Sequence, residues 1–360
     1  MSLQAIVQGE LAGLDGLGIA PFDVHAHTGA DVDGTTRTAA DHVEALTPIG
    51  ARSVIFPLCV TGGYEPENLR VVAECEQHAG TLVPFARLDP RTSGAADAEA
   101  ALATGAKGVK LHPRAEDFRL EHPNVDAIGG VAAAAGAPVL IHAGVGVGSL
   151  GTAIVELAER HRGCPFILAH AGVSDLVWLA PVAAEHPNVF FDTSWWNPSD
   201  LLALFALVPP GQILFGSDEP YMNLELVLAI ALRCARFAGL SEEAMQLVFG
   251  GQTEALLSGE GPIDAGPAPG ELGLAPSASE SRLATLLTAG GGAMLGGGDP
   301  SRMLELARVA VGEDGPAGVS EEVAELIEQA LDGSPEAPWA TAMALTLVMT
   351  PGVERLALTR

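Results

Sequence analysis

From residue 21 to about residue 218, short runs of Val, Ile, Leu and Phe alternate with longer Ala-rich stretches of helical character. The short runs predict strands over 22–27, 53–59, 82–88, 108–112, 138–142, 165–170, 188–194 and 212–218. Helical stretches lie between them, including 68–78, 95–103, 124–135 and 174–185, and two more, 224–237 and 241–257, follow the last strand. Ser241 with Glu242 and Glu243 is a good helix start. Its hydroxyl can accept from a free backbone N–H, and the acids sit at the positive end of the helix dipole.

Each strand-plus-helix unit occupies about 25 to 30 residues. Eight of them in about 240 residues match the count and size of a (β/α)8 TIM barrel, an α/β fold. An open doubly wound sheet would carry a Gly-rich phosphate loop after its first strand, and His25-Ala26-His27 stands there instead. The pattern changes after the barrel region of 1–258. Residues 259–279 are crowded with Gly, Pro, Ala and Ser and read as a linker. Beyond them 280–294, 300–313, 320–331 and 337–348 predict helices, with Asp299-Pro300 as a cap and first turn and Pro351 as a stop. This all-α appendage, 280–360, holds no His, Cys or Lys. Three roles suit it: covering the barrel, forming a homo-oligomer, or docking a partner.

Composition narrows the class. At 48% hydrophobic residues the chain reads as a soluble globular protein, and no run approaches the roughly 18 uncharged apolar residues of a membrane span. Glu10 and Asp15 stand where a signal peptide would be basic, which predicts a cytoplasmic protein with no membrane partner. Cys59, Cys75, Cys164 and Cys234 form no CxxC pair, so neither a zinc ribbon nor an oxidising compartment is indicated. The net charge of −27, with Lys107 and Lys110 the only lysines, argues against a nucleic-acid partner. Solubility is the simpler reading of that charge and a basic partner the alternative.

The candidate chemistry lies at strand ends, where barrel active sites assemble. His25 and His27 end the first strand, Lys110 and His112 the fourth, His142 the fifth, His170 the sixth and Asp218 the eighth. Two histidines at i and i+2 on an extended segment point the same way. Imidazole and carboxylate are ligands that zinc and related divalent ions accept. An ion held by three or four of them, with one position open, brings the pKa of a bound water to near 7. A neighbouring carboxylate can then carry the proton.

This ordered set, with Gly-Ser-Asp at 216–218 and Val-Phe-Gly-Gly-Gln-Thr-Glu-Ala-Leu-Leu at 248–257, resembles the amidohydrolase superfamily from about Pro21 to Leu257. The closest likeness is to its amidohydrolase-related group of metal-dependent hydrolases and decarboxylases. The resemblance implies His25, His27, His142 and Asp218 as metal ligands, with Asp218 and His170 as catalytic residues. It places Lys110 where some relatives carry a carbamylated lysine bridging two metals. A single ion, zinc first, is the favoured cofactor, and two would follow from carbamylation. An unmodified Lys110, with His112 and Arg87, would then bind the substrate. Glu219-Pro220-Tyr221 departs from the group's usual aromatic and proline after Gly-Ser-Asp, and puts an extra acid near the metal.

Simpler readings compete. His25 and His27 could be a structural pair, and Asp218 a helix cap. His112, before Pro113, is equally a loop residue. Arg87 with Asp89, and Asp192 with Ser194, suit structural ion pairs and turns. Trp195 and Trp196 wall a pocket or fill the core. His42, His78, His122, His161 and His186 read as surface residues. The function expected is hydrolysis of an amide, ester or lactone in a small-molecule substrate. Non-oxidative decarboxylation on the same residues is the alternative, and a non-catalytic barrel with an interaction tail the third reading.

Overall fold

The computed structural model describes residues 1–270, 272–273, 276–311 and 321–353. The ends of the predicted helices 300–313 and 320–331 that fall in 312–320, residues 271, 274 and 275 of the linker, and the tail 354–360 lie outside the described residues.

The strands are β1 (Phe22–Ala30), β2 (Thr36–Arg37), β3 (Arg52–Pro57), β4 (Leu82–Pro84), β5 (Ala86–Arg87), β6 (Val109–Leu111), β7 (Val139–Ile141), β8 (Phe166–Leu168), β9 (Val189–Asp192) and β10 (Ile213–Leu214). All but the β1–β2 hairpin pair in parallel. Two ladders, β2-β1-β3-β4 and β10-β9-β8-β7-β6-β5, are joined at both ends. At one seam Phe85 N donates to Ile55 O and Ala86 N to Gly108 O, each at 2.9 Å. At the other, Val24 N donates to Phe215 O (2.9 Å) and Asp218 N to His25 O (2.8 Å). The result is the expected closed (β/α)8 barrel, with the predicted strand 82–88 split at Phe85.

Alternation along the strands sorts the side chains into two layers. Phe22, Val24, Val54, Phe56, Phe85, Leu140, Ile167, Phe190 and Leu214 fill the barrel interior. Ile55, Val109, Leu111, Val139, Ile141, Phe166 and Leu168 face outward into the larger core beneath the helices. Burial on both faces explains the near-continuous apolar runs that made these strands readable.

The helices are α1 (Leu3–Leu11), α2 (Ala39–Leu46), α3 (Glu65–Gln77), α4 (Ala95–Ala103), α5 (Pro123–Ala135), α6 (Gly151–Arg160), α7 (Leu176–Ala183), α8 (Pro198–Leu207), α9 (Leu224–Phe237), α10 (Glu242–Gln246) and α11 (Gln252–Ser258). The predicted single helix 241–257 is α10 and α11 joined by a π-helical turn, Leu247–Gly251, and Ser241 caps it by accepting from Ala244 N. The pattern placed no helix before residue 21, yet α1 lies there, capped by Ser2 and burying Leu3, Ile6, Val7 and Leu11. In the C-terminal region α12 (Ala278–Leu295), α13 (Ser301–Val311), α14 (Glu321–Leu331) and α15 (Ala337–Met349) follow the four predicted helices, and α15 packs on α8 and α9. Among the described residues no helix is long and apolar enough to cross a membrane.

Candidate active site

A β-bulge aims the first two histidines. Asp23 pairs with Ser53 and Ala26 with Ile55, so three steps along β1 span two along β3. Before the bulge Phe22 and Val24 point into the barrel. The extra residue reverses the phase, turning His25 and His27 inward against the Phe56 ring, at centroid distances of 5.4 and 4.6 Å. Lys110 is the inward residue of β6; its Nζ lies 3.2 Å from His25 Nε2 and 4.9 Å from the Phe56 ring. His142 follows β7. His170 and Asp218, past β8 and β10, take left-handed φ values of +59° and +63°, and Ala171 takes +57°. Such a conformation costs a residue with a Cβ roughly 1–2 kcal/mol. Here it turns both side chains back over the barrel mouth.

Hydrogen bonds fix the nitrogens that remain available. His25 donates from Nδ1 to Asp192 Oδ2 (2.8 Å), leaving Nε2 3.1 Å from Asp218 Oδ1. His27 Nε2 reaches the same oxygen at 3.1 Å. His170 donates from Nδ1 to the Ser194 carbonyl (2.8 Å), so its Nε2 can accept from His142 Nδ1 at 2.9 Å. His142 Nε2 and His27 Nδ1 are then buried nitrogens with no hydrogen-bond partner. His112 stacks on His142, with ring centroids 4.0 Å apart and 13° between planes.

Burial pushes His27, His142, His170 and His112 down, favouring their neutral forms. It also brings the Lys110 ammonium down to about 7. Burial alone would raise Asp218, but His170 and His25, with hydrogen bonds from His25 and His27, outweigh it and hold the carboxylate well below its usual range. For His25, burial and Lys110 act downward, and the Asp192 and Asp218 carboxylates reverse the balance to give a net rise.

This donor set fits a divalent cation. One ligand atom each from His25, His170 and Asp218 lies within 4.8 Å of the others. Imidazoles and one anionic carboxylate are zinc-type ligands, and the orphan nitrogens of His27 and His142 are lone pairs that protein groups do not use. Of the expected ligands, His25 and Asp218 stand in this innermost group together with His170, whereas His27 adjoins it through Asp218 Oδ1 at 3.1 Å and His142 through His170 Nε2 at 2.9 Å.

Arg87 is engaged elsewhere. Its Nε and Nη2 donate to Glu116 Oε1 (3.1 and 2.6 Å), its Nη1 donates to Pro57 O (3.2 Å), and Tyr64 O–H donates to the same Glu116 oxygen (2.6 Å). The guanidinium expected to hold substrate therefore serves an internal ion pair. Glu219, the extra acid, also turns from the cluster: it binds Arg37 at 2.5 Å and lies 3.3 Å from His42 Nδ1. His42 Nε2 donates to His27 O at 2.9 Å. His42 is thus buried, not on the surface, and links the start of α2 to the histidine strand.

Asp192 and Ser194, which the sequence left as structural, prove central to the arrangement. Asp192 Oδ1 accepts from the backbone N–H of His170 and of Ser194, both at 2.9 Å, while Oδ2 holds His25. Their place at the end of a barrel strand was the available signal. Asp23 ties the first and last strands, accepting from His25 N and Ser217 N (2.9 Å each) and Ser217 Oγ (2.6 Å). Burial raises its carboxyl to about 7.

The family model described as amidohydrolase matches residues 22–258. No curated protein matches the chain in sequence. Among solved structures it is similar in fold to 5-carboxyvanillate decarboxylase LigW from Sphingomonas paucimobilis, at 13% identity and a TM-score of 0.53, covering 67% of this chain and 99% of that one. Metarhizium anisopliae IDCase in its apo form gives 14% and 0.53, covering 68% and 98%. A Pseudomonas putida protein provisionally assigned as a 2-pyrone-4,6-dicarboxylic acid hydrolase gives 18% and 0.51, covering 67% and 98%.

Proposed function

The chain belongs to the amidohydrolase family, and we propose that it is a metal-dependent hydrolase cleaving a C–N or C–O bond of a small molecule, an amide, ester or lactone. The observation that carries this reading is the Asp218 carboxylate, kept ionised at the barrel mouth among His25, His27 and His170. When bound, a divalent cation, zinc by the ligand chemistry, would supply Lewis acidity for water and for the substrate carbonyl. His25, His170 and Asp218 would hold it, His170 through the Nε2 that otherwise accepts from His142 Nδ1, with His27 against Asp218.

The chain's own groups do the rest. Asp218, as an anion, takes the proton of the attacking water and returns it to the leaving group. Asp192 and the Ser194 carbonyl keep His25 and His170 in the tautomers that present Nε2. Lys110, whose Nζ lies beside His25 Nε2, serves as the anchor for a substrate anion, a role that an unmodified lysine and a single ion leave to it. The same feature supports a second reading, a decarboxylase whose substrate carboxylate sits against Lys110.

Asp218→Asn tests the core of the proposal. Purified wild type should bind about one zinc or manganese ion per chain, and the variant should bind at least about tenfold more weakly with its circular dichroism unchanged. A wild type that takes up neither ion, or a variant that binds as well, would overturn the reading. Once a substrate is found, ¹⁸O from labelled water appears in the product of a hydrolase, whereas carbon dioxide release without it marks the decarboxylase.

A further inference from the structure

The C-terminal helices lie beyond the 22–258 family match, yet they reach the loop that holds His170. Resting on the reading that His170 belongs to the reacting site, we propose that α12 sets the His170 ring in place through Trp196, making Trp196 and Gly291 positioning residues of that site. The loop in question follows β9. Its Ser194 carbonyl accepts the His170 Nδ1–H at 2.8 Å, and the Trp195 ring lies 6.0 Å from the His170 ring. Trp195 Nε1 donates to Asp200 in the first turn of α8 at 2.6 Å, which anchors one side of the loop.

The other side is anchored from outside the barrel. The Trp196 ring, 6.5 Å from that of Trp195 and 9% exposed, sits against the backbone of α12 at Gly291. A Cβ at Gly291 would stand 2.6 Å from Cζ3 and 3.0 Å from Cη2 of that ring, so only glycine permits the approach. One residue along, a Cβ at Gly292 would meet nothing within 4 Å. The helix α15 adds a contact to the same region, where Ser199 Oγ donates to Met349 Sδ at 3.2 Å. Only Trp195 separates Trp196 from Ser194, so a displaced indole passes its shift to the carbonyl that fixes the His170 tautomer. A histidine that loses such a partner no longer presents one defined nitrogen. This gives the C-terminal region a purpose within the site, in addition to the three roles open to it from the sequence.

The test compares Gly291→Ala with Gly292→Ala in the full chain. The readouts are the dissociation constant for Zn²⁺ or Mn²⁺ by calorimetry, the His170 tautomer by ¹⁵N imidazole NMR with His170→Gln to assign the signal, and folding by circular dichroism. Gly291→Ala should weaken ion binding by about tenfold or more, as losses of an orienting partner do, and should mix the His170 tautomers while keeping the fold. Gly292→Ala should match the wild type. Trp196→Phe, which shortens the ring without a clash, should reproduce the effect more weakly and serves if Gly291→Ala does not fold. Unchanged affinity and tautomer in the folded variants would overturn the proposal, as would equal effects of the two glycine variants. If the wild type binds no ion, the metal reading fails separately, and the tautomer alone decides this one.

Discussion

Arg87 and Lys110 are both buried basic side chains near the ends of barrel strands, but their neighbours give them different work. Lys110 faces a histidine nitrogen and an aromatic ring, with no hydrogen-bonded carboxylate. Arg87 is closed by Glu116, Pro57 O and the Tyr64 ring 5.0 Å away. Removing one partner of a buried pair strands the other charge and costs about 3–5 kcal/mol, whereas replacing both with apolar groups is often neutral. Arg87→Met should therefore lower the unfolding free energy by about that amount in urea titrations, with or without added metal. Arg87→Met combined with Glu116→Leu should recover most of the loss. If Arg87→Met left stability untouched and raised KM alone, Arg87 would be a substrate anchor after all. Sequence could not make this distinction, because Glu116 approaches from a loop 29 residues away.

Among the elements, the strands were legible because a barrel strand is buried on both faces and has to be apolar almost throughout. The candidate site residues at their ends stood out for the complementary reason: buried imidazoles and carboxylates following apolar runs have few structural uses. The details that aim those side chains were not. The bulge in β1, which brings His25 and His27 inward, leaves no mark in an alternation read from one chain. The left-handed turns at His170 and Asp218 fall on residue types that do not require them. The split of 82–88 has a visible cause only in three dimensions. Phe85 fills the barrel interior over Gly108, where a Cβ would stand 2.5 Å from the ring. Gly108→Val should force that ring aside and destabilise the barrel by about 1–3 kcal/mol, the usual cost of overpacking. Gly108→Val combined with Phe85→Leu, which makes room, should restore part of the loss. Equal stability of Gly108→Val and wild type would show that the interior is looser than the contact implies.

At the scale of the whole molecule, two features decide how the chain unfolds. The first is a buried clasp: Arg233 on α9 donates to Glu10 of α1 at 2.7 Å and to the Thr350 carbonyl just past α15 at 3.0 Å. It joins the N-terminal helix, the barrel and the C-terminal helices, so these parts should melt in one transition. The second is the charge of −27, from 45 acidic against 18 basic side chains. Exposed pairs such as Arg119–Glu121 at 3.0 Å stabilise little and weaken with salt. The repulsion among the excess carboxylates also weakens with salt, as the screening length shortens to about 10 Å at 0.1 M. Because acids outnumber bases so heavily, the loss of repulsion should win. Raising sodium chloride from about 0.02 to 0.2 M should therefore raise the melting temperature of metal-free protein in scanning calorimetry. The clasp is too buried to be screened, so the single transition should move as a whole and not divide. Choline chloride should act equally, since screening depends on ionic strength and not on the cation's identity. A melting temperature that stays flat or falls would show that favourable pairs, and not the excess of acid, dominate the surface.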